Sequence, residues 1–163
     1  MRRAVVLAGG FTLMMAGYAC SKSSDKAALG PLSPVPETYV AQMTAAKERP
    51  TPLATGASGV ATFVFRPDGP IDYTLSVSGL SALPNNMHIH APGDSNAVAG
   101  VIVGFNGYAV ATSGTIASGT IYGVSATVSL DSLKSLIRKG LVYAQVHTTA
   151  FSGGEIRAQL FKP

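Results

Sequence analysis

Residues 71–78 read Ile-Asp-Tyr-Thr-Leu-Ser-Val-Ser, apolar and polar in strict alternation. A period of two places Ile71, Tyr73, Leu75 and Val77 on one face of a strand and the polar residues on the other. A helix, with its period of 3.6, would scatter them around its surface. Pro67-Asp68-Gly69-Pro70 before this segment is a turn signal. Residues 59–66 upstream alternate again, with Phe63 and Phe65 on one face. Two strands around such a turn predict a hairpin.

The same pattern recurs along the chain. Residues 39–44, the stretch around His88 and His90, and residues 101–105, 141–149 and 155–161 all read as short strands, the last two joined around Ser152-Gly153-Gly154. Glu48-Arg49-Pro50-Thr51-Pro52 cannot continue a ladder, because proline lacks the donor. Residues 109–122, rich in Gly, Ser and Thr, read equally as a strand pair or a loop. Residues 130–139 form the one helical pattern, with Leu133, Leu136 and Ile137 on one face, Asp131 in the first turn and Gly140 placed to close it. About seven to nine short strands and one helix in a connection predict an all-β domain, an antiparallel β-sandwich or Greek-key barrel. No strand–helix–strand rhythm supports a parallel sheet. Hydrophobic residues make up 47% and charged residues 12%, which excludes a chain disordered throughout.

The N-terminus reads as a targeting segment. Met1-Arg2-Arg3 is a short basic region and residues 4–16 an apolar core too short and Gly-rich for a spanning helix. Gly17-Tyr18-Ala19-Cys20 follows, and Cys20 is the single cysteine. The arrangement resembles a bacterial lipoprotein signal, with Gly17 where an aliphatic residue is usual. It implies a signal peptide over residues 1–19, lipidation of Cys20, export, and anchoring to the cell envelope at the outer membrane or cell surface. An ordinary secretory cleavage near Ala19 would instead leave a free thiol. Residues 20–37, with Pro31, Pro34 and Pro36, read as a solvated tether, and residues 38–163 as the folded domain. The formal charge of +4 includes Arg2 and Arg3; without them it is +2, and no basic run or aromatic-interleaved patch remains. Nucleic acid is therefore not an expected partner.

Three histidines occur in the chain, and two stand at His88 and His90, one residue apart. On a strand they share a face, while Met87 and Ile89 point to the other. His147 lies in a later strand. One reading is a three-histidine metal site, suited to copper or zinc, with Asp94, Glu155 or Arg157 as outer residues orienting the ligands. The other is a hydrogen-bonded cluster tying two sheets together, with Thr148, Glu155, Gln145 and Arg157 as candidate partners. Glu155 and Arg157, two apart on a strand, also fit a mutual or cross-strand pair. No Ser/His/Asp set, paired-carboxylate signature or phosphate-binding glycine loop is present.

Glu48-Arg49-Pro50, His88-Ile89-His90, Tyr143-Ala144-Gln145-Val146-His147-Thr148 and Gly154-Glu155-Ile156-Arg157-Ala158-Gln159-Leu160 together resemble the CHRD domain, a family first noticed in chordin and found in many bacterial exported proteins. The resemblance spans residues 38–160; Ala158 stands where the family often has glycine, and Ala144-Gln145 where Val-Asn is more usual. It implies an immunoglobulin-like or superoxide-dismutase-like Greek-key fold. A second, local resemblance links Met87-His88-Ile89-His90-Ala91-Pro92-Gly93-Asp94 and Gln145-Val146-His147 to the copper strands of Cu/Zn superoxide dismutases, with Arg157 comparable to their substrate-guiding arginine. The chain departs from them in lacking a histidine between His90 and His147, the zinc ligands and the disulfide. The leading expectation is a non-catalytic, lipid-anchored binding or structural module for a protein or other extracellular ligand. A copper- or zinc-binding domain is the alternative, and dismutase-like redox chemistry comes third.

Overall fold

A computed structural model of the chain describes residues 35–163. The signal segment, Cys20 and the tether up to residue 34 lie outside the described residues. The described part contains β1 (Glu37–Thr44), β2 (Ser58–Phe65), β3 (Ile71–Ser78), β4 (Pro84–His90), β5 (Val101–Gly104), β6 (Gly114–Ile121), β7 (Tyr143–Thr148) and β8 (Ile156–Gln159), with helix α1 (Leu130–Arg138) between β6 and β7. β1 takes in Glu37, which the sequence assigns to the tether. Of the ambiguous segment 109–122, residues 114–121 form a strand, β6.

The all-β expectation holds, in the form of one continuous antiparallel sheet with the order β5-β4-β7-β8-β1-β2-β3-β6. The sheet curls into a half-barrel. Phe105, just beyond β5, stacks on Tyr73 of β3 with ring centroids 4.5 Å apart and lies 6.2 Å from Phe63 of β2. β5 and β3 stand far apart in strand order, so only curvature brings these rings together. The alternation read in the sequence becomes burial: Phe63, Phe65, Ile71, Leu75 and Val77 line the concave face with Met43, Met87, Ile89, Val146, Ile156 and Leu160. Each such side chain removed from water contributes roughly 1.5–3 kcal/mol.

The β2–β3 hairpin pairs Phe65 with Ile71, and Gly69 at φ 116° supplies the left-handed residue of its turn. Ser129 caps α1 by accepting from the Ser132 N–H at 3.1 Å, and Leu133 and Ile137 enter the core. Gly140 at φ 70° ends the helix, its N–H donating to the Ile137 carbonyl at 2.9 Å. After β1, residues 45–47 make one 3-10 turn and the Glu48-Arg49-Pro50 segment leaves the ladder, as its prolines require. The first strand pair of importance to the site is β4–β7, which sets Ile89 opposite Ala144 and His88 opposite Gln145.

Candidate metal centre

β4 and β7 are neighbours in the sheet, and the pleat directs Met87, Ile89, Ala144 and Val146 inward and His88, His90, Tyr143, Gln145 and His147 to the convex face. The three histidines therefore meet on one sheet and do not tie two sheets together. One ligand-capable atom from each lies within 4.8 Å of the others. Ring centroids are 5.0 Å apart for His88 and His147, 5.5 Å for His88 and His90, and 6.5 Å for His90 and His147. Three nearby histidines of this kind could hold a metal ion.

The proton arrangement follows from the partners. His90 Nδ1 lies 2.9 Å from the Ala99 carbonyl and His147 Nδ1 2.9 Å from the Ser152 carbonyl. A carbonyl only accepts, so each Nδ1 carries hydrogen, and the neutral ring presents a lone pair at Nε2. His147 Nε2 faces His88 Nδ1 at 3.3 Å, so the shared proton belongs to His88. Among the described residues, His90 Nε2 is buried and has no hydrogen-bond partner. Burial, reinforced by the neighbouring His147 and His90, pushes the His88 pKa down to about 4, and burial also lowers that of His90. Both rings are thus neutral, the form that ligates metal, at ordinary pH.

A second layer holds this cluster in place. Tyr143 stacks on His90 at 4.7 Å with 6° between the planes, and the Arg157 guanidinium covers the other face of Tyr143 at 3.7 Å. The Ala99 N–H donates to Tyr143 Oη at 3.0 Å, so one tyrosine fixes both the His90 ring and the carbonyl that orients it. A Cβ on Gly93 would approach the Ala99 and Ala97 Cβ atoms at 3.0 and 3.3 Å, which is why the loop over Tyr143 needs glycine there. Around His147, Gln145 Nε2 donates to Glu48 Oε2 at 2.7 Å and to the Gly153 carbonyl at 3.1 Å, steadying the loop that carries Ser152.

Of the outer residues expected from the sequence, Arg157 acts on His90 only through Tyr143, and Asp94 and Glu155 make their bonds elsewhere. The Asp94 carboxylate accepts from the N–H groups of Asn96 and Ala97 at 2.8 and 3.0 Å, folding its own loop. Glu155 is fully buried and accepts from the Ser81 N–H, Ser81 Oγ and Thr148 Oγ1 at 2.8, 2.6 and 2.8 Å. Arg157 donates to the carbonyls of Ala97, Asp94 and Ser95 at 3.0, 3.4 and 3.5 Å. None of the three bonds a histidine, and Glu155 and Arg157 do not pair with each other. Thr148 cannot reach the rings because it follows His147 and points to the opposite face. The orienting groups are instead backbone carbonyls, which leave no mark in a sequence. Tyr143 and Glu48 were legible only as motif residues; the Tyr143-x-Gln145-x-His147 spacing is the signal that they share a face.

The family model of the CHRD domain matches residues 39–160. The chain belongs to the CHRD-domain family. The match runs from Tyr39, the third residue of β1, past the end of β8, and includes every residue of the histidine cluster and its second layer. No curated protein and no solved structure matches the chain significantly. A CHRD domain is a binding or structural module at the level of the family.

Proposed function

We propose that this CHRD domain is a non-catalytic module that binds one copper or zinc ion through His88, His90 and His147, exported and tethered to the bacterial cell envelope through lipidated Cys20. The observation that carries the metal reading is the buried, unpartnered Nε2 of His90 beside two further imidazoles. Buried polar atoms are seldom left without a partner, and an ion shared with the two further imidazoles would supply one here. Two nitrogens each about 2.1 Å from a tetrahedral ion stand roughly 3.4 Å apart. The 3.3 Å between His88 Nδ1 and His147 Nε2 supports that spacing once the ion displaces the proton shared between them, and one ligand atom of each of the three histidines lies within 4.8 Å of the others. Carbonyl-anchored Nδ1 atoms are the usual outer partners of ligating histidines. Among the described residues the histidines form no nucleophile–base pair with a serine, which favours holding a ligand over turning one over. Lipidation of Cys20 rests on the small residue before the cysteine and the apolar segment ahead of it.

Calorimetric titration of the chain with zinc and with copper tests the reading. We expect one ion per chain, loss of binding in both His88→Ala and His147→Ala, and no dismutase activity in the copper-loaded protein. Absence of saturable binding to either metal, with both variants less stable, would leave the histidines as a structural cluster.

A further inference from the structure

A second site lies on the same convex face, over the seam between β1 and β8. The two strands pair at Thr44–Arg157 and again at Val40–Phe161, and a cavity of about 450 Å³ opens beside this seam. Its volume falls in the range of small-molecule sites. Val40, Phe161 and Pro163 give it an apolar wall, and Phe161 is a large aromatic left 61% exposed. Lys47, Arg49, Arg157 and Lys162 supply its charge, and no Asp or Glu lines it.

The four cations have no carboxylate within salt-bridge distance among the described residues. Elsewhere, Arg66 pairs with Asp68 and Asp72 and Arg138 with Glu37, while Lys134 and Lys139 form no salt bridge. Around the cavity, Lys47 donates to the Gln42 carbonyl at 2.5 Å and Arg49 to the Ala46 and Glu48 carbonyls at 3.3 and 2.8 Å. Arg157 likewise meets only carbonyls and an aromatic face, and none of the four forms a salt bridge among the described residues. Glu37, Glu48 and Asp94 lie near these cations but outside the lining, so the hollow itself presents positive charge beside an apolar wall and is complementary to an anion that carries an apolar body.

We infer that this cavity binds an organic carboxylate with an aliphatic chain, the chain against Val40, Phe161 and Pro163 and the carboxylate among Lys47, Arg49 and Lys162. Arg157 forms the floor, fixed by its carbonyls, and adds its field without leaving the fold. The inference is independent of the histidines, none of which lines the cavity.

The test is a titration of the full chain, with chelator present, against octanoate, octanol, acetate and octyl phosphate, followed by amide NMR shifts at Val40, Ala158 and Phe161. Octanoate should saturate one site and move these signals, with octanol and acetate at least tenfold weaker and the affinity falling as salt is raised. Lys47 and Lys162 are both exposed, so the double variant Lys47→Glu/Lys162→Glu keeps its thermal midpoint; it should lose octanoate affinity at least tenfold. Octanol binding as tightly as octanoate, no saturable octanoate binding, or octanoate affinity unchanged in the double variant would each overturn the assignment. Octyl phosphate binding tenfold more tightly than octanoate would overturn the carboxylate and make the head group a phosphate.

Discussion

Glu48 shows how one residue shapes the region behind the histidines. It is 2% exposed, with Oε2 accepting from Gln145 and Oε1 unpartnered. Burial raises its pKa from 4.5 to about 7, against the lowering pull of the Gln145 hydrogen bond and of Arg157 and Arg49 nearby. A folded-state pKa above the unfolded one gives a contribution to stability that is complete below pH 4.5 and lost as pH rises through 7. His88 works the other way: with its pKa lowered from 6.5 to about 4, its contribution is complete above pH 6.5 and lost as pH falls through 4. Comparing the native protein with Glu48→Gln isolates the carboxyl. Urea unfolding should show the variant gaining on the native protein by about 2–3 kcal/mol between pH 4.5 and pH 8. A difference flat with pH would mean that Glu48 keeps an ordinary carboxylate pKa. At this scale the sequence revealed the ligand-capable atoms, because His-x-His on a strand has only one geometric meaning. It concealed the groups that orient them, since the carbonyls of Ala99 and Ser152 depend on loop paths that no side chain encodes.

At the scale of elements, alternation translated directly into strands wherever apolar residues were large, as in β2 and β3. It failed for β6, where Gly114, Ser118 and Gly119 leave the pattern faint, and where the strand owes its place to pairing with β3. Gly119 makes room for its neighbour: a Cβ there would stand 3.0 Å from the Tyr73 hydroxyl oxygen and 3.2 Å from its ring. The helix was readable from its buried face and both ends. Ser129→Ala removes the oxygen that accepts from Ser132 and should cost about 1 kcal/mol in denaturant unfolding, with helix content at 222 nm otherwise kept. No measurable cost would show that solvent satisfies the first turn equally well.

For the whole molecule, the sequence indicated the fold class, and tertiary contacts decided that the strands form one curled sheet. The contacts responsible join residues far apart in the chain, such as Phe63, Tyr73 and Phe105, and no local pattern announces them. Phe105 is 2% exposed and bridges the two ends of the sheet. Phe105→Ala should therefore cost about 3–5 kcal/mol and lower the midpoint of a single cooperative transition. A loss under about 1 kcal/mol would mean that the ends of the sheet are held without it. The same curl keeps the concave face for the core and leaves the convex face of β4 and β7 to carry the three histidines.

Whether the three imidazoles converge on one ion is read from X-ray absorption at the zinc edge of the zinc-loaded chain. Three imidazole nitrogens are expected at about 2.0–2.1 Å, falling to two in His90→Ala. A shell built from oxygen with fewer than two imidazoles, or one unchanged in His90→Ala, would contradict that expectation.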